Sequence, residues 1–258
     1  MQIAVAGKGG TGKTTFCALT IRQLVYAGHK PILAVDADAN ANLAEALGIP
    51  APETVGDIIA EMAGDRRSQP GGMSKDRYLS YRMHQAMAEG DDFDLLVMGR
   101  PEGAGCYCHA NNLLRSFVGE LAQNYRDIIM DNEAGLEHLS RRTLGRADVL
   151  FIISDATVRG VQTAARVAEL ASKVGLEIGQ MGLVVNRARE DSLPALEGLI
   201  TELGLELWGT IPFDPDVEAY DLKARPLYNL PLDGPASQAV RRVLEKGTGC
   251  AAELGRVT

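Results

Sequence analysis

The chain has 258 residues, of which 46 % are hydrophobic and only 5 % aromatic, and a formal net charge of −8. That length allows one large α/β domain or two small ones, and the hydrophobic share is enough to bury a sizeable core of Leu, Val, Ile and Ala. The acidic balance argues against a general electrostatic grip on DNA or anionic lipid, so neither nucleic acid nor membrane is an expected partner.

Read in chain order, short apolar runs alternate with amphipathic stretches. The first run, residues 3–6, begins at once, without the basic segment and cleavage site of an export signal. No window holds the roughly 18 consecutive apolar residues of a spanning helix, which makes the cytoplasm the expected location. Directly after this run stands Gly7-Lys8-Gly9-Gly10-Thr11-Gly12-Lys13-Thr14-Thr15, a full match to G-x-x-x-x-G-K-[ST] placed between a strand and a helix. Glycines there let successive backbone N–H groups point at phosphate oxygens, and the helix that follows adds its positive end. Lys13 is expected on the β- and γ-phosphates and the Thr14 hydroxyl on Mg²⁺. Apolar residues at three- and four-residue spacing predict the helix over 14–27, with Cys17 on its core side.

A second strand, 31–35, ends in Asp36-Ala37-Asp38. Carboxylates at that end of a parallel strand, beside a phosphate loop, can hold Mg²⁺ or orient an attacking water. We assign Asp36 to the Mg²⁺ shell and Asp38 to the water; the division between them is open, as is the alternative that one of the two caps the next helix. Residues 63–92, polar and rich in Gly, Asp, Arg and Met, read as an insertion with a helix of undefined extent. The strand at 95–98 leads into a glycine-containing loop with Cys106-Tyr107-Cys108. One C-x-C offers two thiolates, too few for a closed four-coordinate site, whereas a symmetric dimer would gather four sulfurs, enough for Ni²⁺ or Zn²⁺. Two buried free cysteines are the competing explanation.

The strand at 128–130 runs into Asp131-Asn132-Glu133-Ala134-Gly135, which looks like a Walker B element entering a second switch, with Asp131 on Mg²⁺ through water. Further strands are expected at 149–153, 182–185 and 208–211, and a helix over 161–174. After the strand at 182–185 comes Asn186-Arg187-Ala188-Arg189; Arg189 stands where a guanine reader would place an Asp, and Asn186 is able to pair with the N6/N7 edge of adenine. ATP is therefore favoured over GTP. The whole reads as a single-domain P-loop NTPase of α/β class over 1–246, its mainly parallel sheet flanked by helices on both faces, followed by a weakly ordered tail at 247–258 that contains Cys250.

With K-G-G-x-G-K-T-T, D-x-D and D-x-x-A-G in place, the sequence resembles the MinD/ParA/nitrogenase-iron-protein group of P-loop ATPases. The resemblance implies a homodimer in which Lys8 reaches the partner's phosphates, a first switch formed by the D-x-D at 36–38, a Gly135 N–H that senses the γ-phosphate, and adenine packed by Pro212 and Phe213 after Ile211. The G-x-C-Y-C loop together with Asp131–Arg141, including Glu137, His138 and Arg141, is similar to the CooC family, the nickel-handling ATPases that mature carbon monoxide dehydrogenase. This implies Ni²⁺ at Cys106 and Cys108, with Zn²⁺ able to take its place, and the apo-dehydrogenase as client. His109 is expected beside the thiolates, and His138 in support of the switch helix or the dimer contact. Two rivals stand beside this reading. One is a MinD/ParA-like positioning switch, which leaves the cysteine pair unexplained; the other is an iron–sulfur carrier ATPase, whose cysteine patterns differ from C-x-C.

Overall fold

The structure, a computed structural model, describes residues 1–64, 73–100, 107–133, 146–173, 176–189 and 192–249. In chain order the described elements are β1 (Gln2–Gly7), α1 (Lys13–Tyr26), β2 (Ile32–Ala37), α2 (Leu43–Leu47), α3 (Val55–Gly64), α4 (Lys75–Ala86), β3 (Asp94–Val97), α5 (Tyr107–Leu121) and β4 (Asp127–Asn132). They continue with β5 (Arg146–Asp155), α6 (Val158–Lys173), β6 (Glu177–Ala188), α7 (Ser192–Glu202), β7 (Leu207–Pro212), α8 (Pro215–Leu222), a 3₁₀ turn (Leu227–Asn229) and α9 (Pro235–Thr248).

The seven strands form one sheet in the order β3-β2-β4-β1-β5-β6-β7, and every neighbouring pair is parallel. The expected mainly parallel sheet is thus wholly parallel in its named strands. Successive side chains of a strand face opposite ways. In β1, Ile3 and Val5 turn to the layer that holds α1, α2 and α9, while Ala4 and Ala6 turn to the layer that holds α3 to α7. Both faces are dry, which is why the strands read as continuous apolar runs rather than alternating ones. Each expected strand is present; β5 and β6 extend beyond their apolar centres, because Arg146 and Glu177 at their N-terminal ends sit at the exposed margin.

Helix α1, which carries the phosphate-loop residues, is anchored by a row of rings. Phe16 on α1 packs on Phe151 of β5 at 5.0 Å, and Phe151 meets Trp208 of β7 edge-on at 5.1 Å. Gln23 of α1 adds a buried amide donation to the Ser237 carbonyl of α9 at 2.9 Å. Two departures from expectation concern extent. The stretch expected as an insertion contains α4, which starts behind the Ser74 side chain as N-cap, and it rejoins the sheet where Ala88 bridges Leu95. Helix α9 runs to Thr248, two residues into the expected tail, because Gly247 is buried against the Phe151 and Trp208 rings; Cys250 lies outside the described residues.

One carboxylate fixes the C-terminal end of the fold. Buried Asp214 accepts from the Asp216 N–H at 2.9 Å, capping α8, and from the Ala236 N–H at 3.0 Å in the first turn of α9. A helix start leaves N–H groups without intrahelical partners, and Asp214 satisfies one in each of two helices. Asp214→Ala is expected to cost about 2–3 kcal/mol, since both donors are left without their acceptor. Urea unfolding checks this: a loss below about 0.5 kcal/mol would mean that the two caps are redundant.

Candidate functional site

In an open parallel sheet the ligand crevice lies beyond the C-terminal ends of the strands, where strand order reverses. Here that place is the end of β1, flanked by β4 on one side and β5 on the other. The glycines of the loop are required by its shape. A Cβ on Gly7 would stand 2.3 Å from the Ile153 carbonyl oxygen, and Gly12, with φ of 90°, would drive one to 2.3 Å from Asn186 Nδ2. Gly12 serves as N-cap of α1, and the Phe16 N–H closes the first helical bond onto its carbonyl at 2.9 Å.

Lys13 is buried, and its ammonium reaches the Lys8 carbonyl at 3.4 Å, folded over the loop. The Thr11 hydroxyl donates to the same carbonyl at 2.8 Å, so what Thr11 offers a phosphate is its backbone. Lys8 itself is exposed, and its side chain has no partner among the described residues. A cavity of about 430 Å³ opens here, lined by Gly9, Gly10, Gly12, Lys13, Thr14 and Thr15 on one side and by Asp38 on the other.

The acidic residues converge as expected but divide their work differently. Asp36 of β2 stands directly opposite Asp131 of β4 in the sheet register. Both are buried, at 0 % and 1 % exposure. Asp36 Oδ1 accepts from the Asp38 N–H at 3.0 Å, and Oδ2 from the Leu43 N–H at 2.8 Å, at the start of α2. The residue assigned to the Mg²⁺ shell therefore clasps the first switch, which was the capping alternative. Asp38 holds its own loop, accepting from the Asn40 N–H at 2.9 Å and the Asn40 side-chain amide at 3.0 Å. Asp131 Oδ2 accepts from the Thr14 hydroxyl at 2.6 Å, while Asp131 Oδ1 is buried without a hydrogen-bond partner among the described residues.

Burial pushes the Asp36 carboxyl up to about 7, its two backbone N–H donors opposing the rise and the Asp131 charge adding to it. Burial likewise lifts Asp131 to about 6, against the pull of the Thr14 hydroxyl and the Lys13 ammonium. Cys17, fully buried on α1, is raised by burial and then by Asp131 and Asp36, so its thiol is inert at neutral pH, as its core-side spacing suggests.

The other half of the cleft is a cavity of about 300 Å³ whose lining includes Leu19, Asn186, Pro212, Phe213 and Val240. Phe213 is 51 % exposed at its rim. Apolar walls with an edge-exposed ring suit a base, in keeping with the adenine segment expected at Pro212 and Phe213. Asn186, the residue expected to pair with adenine, lines this cavity, and its amide is oriented by two bonds within the chain. Its Nδ2 donates to the Thr11 carbonyl at 2.8 Å, and its Oδ1 accepts from the Arg187 N–H at 2.9 Å. Both ends of the amide are engaged within the chain, leaving one hydrogen and one lone pair for anything else.

Cys106, Gly135, Glu137, His138 and Arg141 lie outside the described residues, as do the side chains of Cys108 and His109 in the first turn of α5. Among the described residues no group of three or more His, Cys, Asp or Glu could hold a metal ion, and no helix is long and apolar enough to cross a membrane. Asp214 was missed in the sequence, although Asp-Pro at 214–215 is an N-cap followed by proline at the first helical position. Arg187 and Asp221, which line the seam between the two cavities, had no sequence signal at all.

The CobQ/CobB/MinD/ParA nucleotide binding domain matches residues 3–227. An uncharacterized ATP-binding protein of Methanocaldococcus jannaschii is 43 % identical over 95 % of this chain and 98 % of its own. The carbon monoxide dehydrogenase accessory protein CooC of Rhodospirillum rubrum is 32 % identical over 89 % of this chain and 90 % of its own. Among solved structures, the septum site-determining protein MinD of Pyrococcus horikoshii, complexed with Mg-ADP, superposes with a TM-score of 0.70 at 23 % identity, covering 99 % of both chains.

A carboxyl whose folded pKa exceeds its unfolded one binds its proton more tightly when folded, so its contribution is full below about pH 4 and is lost as pH rises through the folded value. For Asp131 and Asp36 that loss falls between about pH 4 and 7. Chelator-treated protein should therefore weaken across this range, and Asp131→Asn should gain about 1–3 kcal/mol relative to wild type at pH 8. Thermal unfolding at pH 5 and pH 8 reads both effects; an Asp131→Asn protein less stable than wild type at pH 8 would contradict the assignment.

Proposed function

The chain belongs to the CobQ/CobB/MinD/ParA nucleotide-binding family and is a P-loop ATPase, and from that premise we propose that it is a metallochaperone, binding nickel through Cys106 and Cys108 in a homodimer and assisting insertion of the metal into carbon monoxide dehydrogenase. The observation that carries this reading is the pairing, in one chain, of a phosphate loop with the C-x-C at 106–108. Helix α5 begins at Tyr107, so Cys108 stands in its first turn. The CooC relative, 32 % identical along about nine tenths of either chain, supports the same client.

In the proposed cycle the triphosphate of ATP enters the loop between Lys13 and Thr14, and Lys13 moves from the Lys8 carbonyl onto the β- and γ-phosphates. Lys8, exposed and without a partner among the described residues, extends to the phosphates of the second subunit and closes the dimer. Closure brings two C-x-C segments together and completes a thiolate site for nickel, the cargo; zinc suits the same ligands. Asp38 orients the attacking water. Loss of the γ-phosphate then slackens the first switch, whose backbone Asp36 clasps, and the second switch after Asp131, so that the dimer loosens and the cargo passes to the client.

The residues present suit Mg²⁺ as the partner of ATP. Thr14 supplies a hydroxyl, and Asp131 supplies a buried carboxylate oxygen without a hydrogen bond beside it, hard oxygen ligands of the kind this ion takes. Bound there, Mg²⁺ would neutralise charge on the β- and γ-phosphate oxygens. Asp36, with an N–H on each oxygen, would act on it through water. A cytoplasmic setting is part of the proposal, since thiolates that trade metal must stay reduced.

Two measurements test the reading. Lys13→Ala should lower ATP turnover roughly 100-fold or more, and intact turnover would remove the first step of the cycle. Equilibrium dialysis should find about one nickel per two chains, lost in Cys106→Ser/Cys108→Ser. Nickel binding unchanged in the double variant would sink the delivery role and leave a MinD/ParA-like switch, the reading that family membership alone already accommodates.

A further inference from the structure

Two exposed side chains of opposite charge line the phosphate cavity from different elements, Glu45 on α2 and Arg225 just before the 3₁₀ turn. No ion pair joins them, and the Glu45 carboxylate has no hydrogen-bond or ion-pair partner among the described residues. Arg225 is parked on α8. Its guanidinium lies over the Tyr220 ring at 4.2 Å and donates to the Tyr220 hydroxyl at 3.3 Å. An exposed ring contact and a long hydrogen bond are a weak hold.

The backbones that carry the two charges already touch. Gly48, which closes α2, lies so near Pro226 that a Cβ on it would stand 2.7 Å from the proline ring. Arg225 is the residue before that proline, and the Glu45 carbonyl accepts from the Gly48 N–H at 3.0 Å. On one side of this contact the chain is loosely seated. None of Pro215–Leu222 is buried, residues 221–225 are all exposed, and Ala224 has φ of 48°. On the other side α2 is tied to the first switch, where Asp36 accepts from the Leu43 N–H at 2.8 Å.

A carboxylate on the wall of a polyphosphate cavity repels the ligand unless a cation stands with it. Among the cations that line this cavity, Lys13 is folded over the loop and Arg187 belongs to β6, which leaves Arg225, rooted beside α2. We propose that Arg225 and Glu45 form a latch. Polyphosphate draws the guanidinium off Tyr220 into the cavity, where it pairs with Glu45, joins the segment after α8 to the first switch and slows release of the nucleotide. This rests on the ATPase reading of the cleft and is independent of the metal cargo.

The test is stopped-flow displacement of a fluorescent, non-hydrolysable ATP analogue from the full chain by excess ATP, with Mg²⁺ present. Glu45→Arg and Arg225→Glu should each speed release about threefold, and the exchanged double variant should return to nearly the wild-type rate. In about 0.5 M salt the singles and wild type should converge, since an exposed pair is screened. Melting temperatures should stay at the wild-type value because both side chains are exposed, which separates a lost latch from lost folding. Glu45→Arg is the decisive single variant. It adds positive charge beside the phosphates, so without a latch it should hold the nucleotide longer, and slower release there overturns the proposal. A double variant that releases as fast as Arg225→Glu also overturns it, and assigns Arg225 to the phosphates alone. A wild type that binds no analogue would remove the ATP site beneath the latch, a result that no ordering of release rates can produce.

Discussion

Two carboxylates forced side by side into a dry sheet are the constraint on which this site depends. The register of β2 against β4 sets Asp36 opposite Asp131 with almost no access to water. Removing like charges from water and bringing them together is unfavourable unless donors or cations compensate. The chain meets this demand unequally. Asp36 receives one backbone N–H on each oxygen and becomes the clasp of the loop between β2 and α2. Asp131 receives the Thr14 hydroxyl on one oxygen and none on the other, with Lys13 as its nearby positive charge. Two residues of one type thus take different parts, one structural and one directed at a ligand, because of what the neighbouring backbone supplies.

The same geometry explains why strand ends, rather than strands, carry the chemistry. β1 leads into the phosphate loop, β2 carries Asp36, β4 Asp131, β6 Asn186 and β7 Pro212, all towards one edge of a parallel sheet. Contacts between these endings join parts of the chain that are far apart in sequence. The Asn186 amide, for instance, spans 175 residues of sequence to reach the loop at Thr11.

What could be read in the sequence was whatever depends on local pattern. Strands buried on both faces must be apolar throughout, so residues 3–6, 95–98 and 149–153 stood out. The phosphate loop carries its motif in nine consecutive residues, so it too was legible. Long-range partners were not legible. Asn186 has the right chemistry for adenine, but no local pattern reveals the two backbone groups that orient its amide. Asp36 and Asp38 look equivalent in sequence, and only the approach of Leu43 separates them. Arg187 and Asp221 line the same two cavities, which no local pattern reveals. The cysteine pair, outside what the structure describes at Cys106, is still a statement about sequence and relatives.

The double cap at Asp214 bears on the order in which the protein matures. The phosphate loop lies at residues 7–15 and leaves the ribosome first, but the base cavity is walled by Pro212, Phe213 and Val240, the last of these on α9. Asp214 joins the helix before that wall to the helix after it, so neither is fully seated until α9 has been made. The phosphate loop waits on later chain as well, since Gly7 lies against the Ile153 carbonyl and Asn186 holds the Thr11 carbonyl. Stabilisation by bound nucleotide, which requires the folded site, therefore comes only to a chain folded through α9.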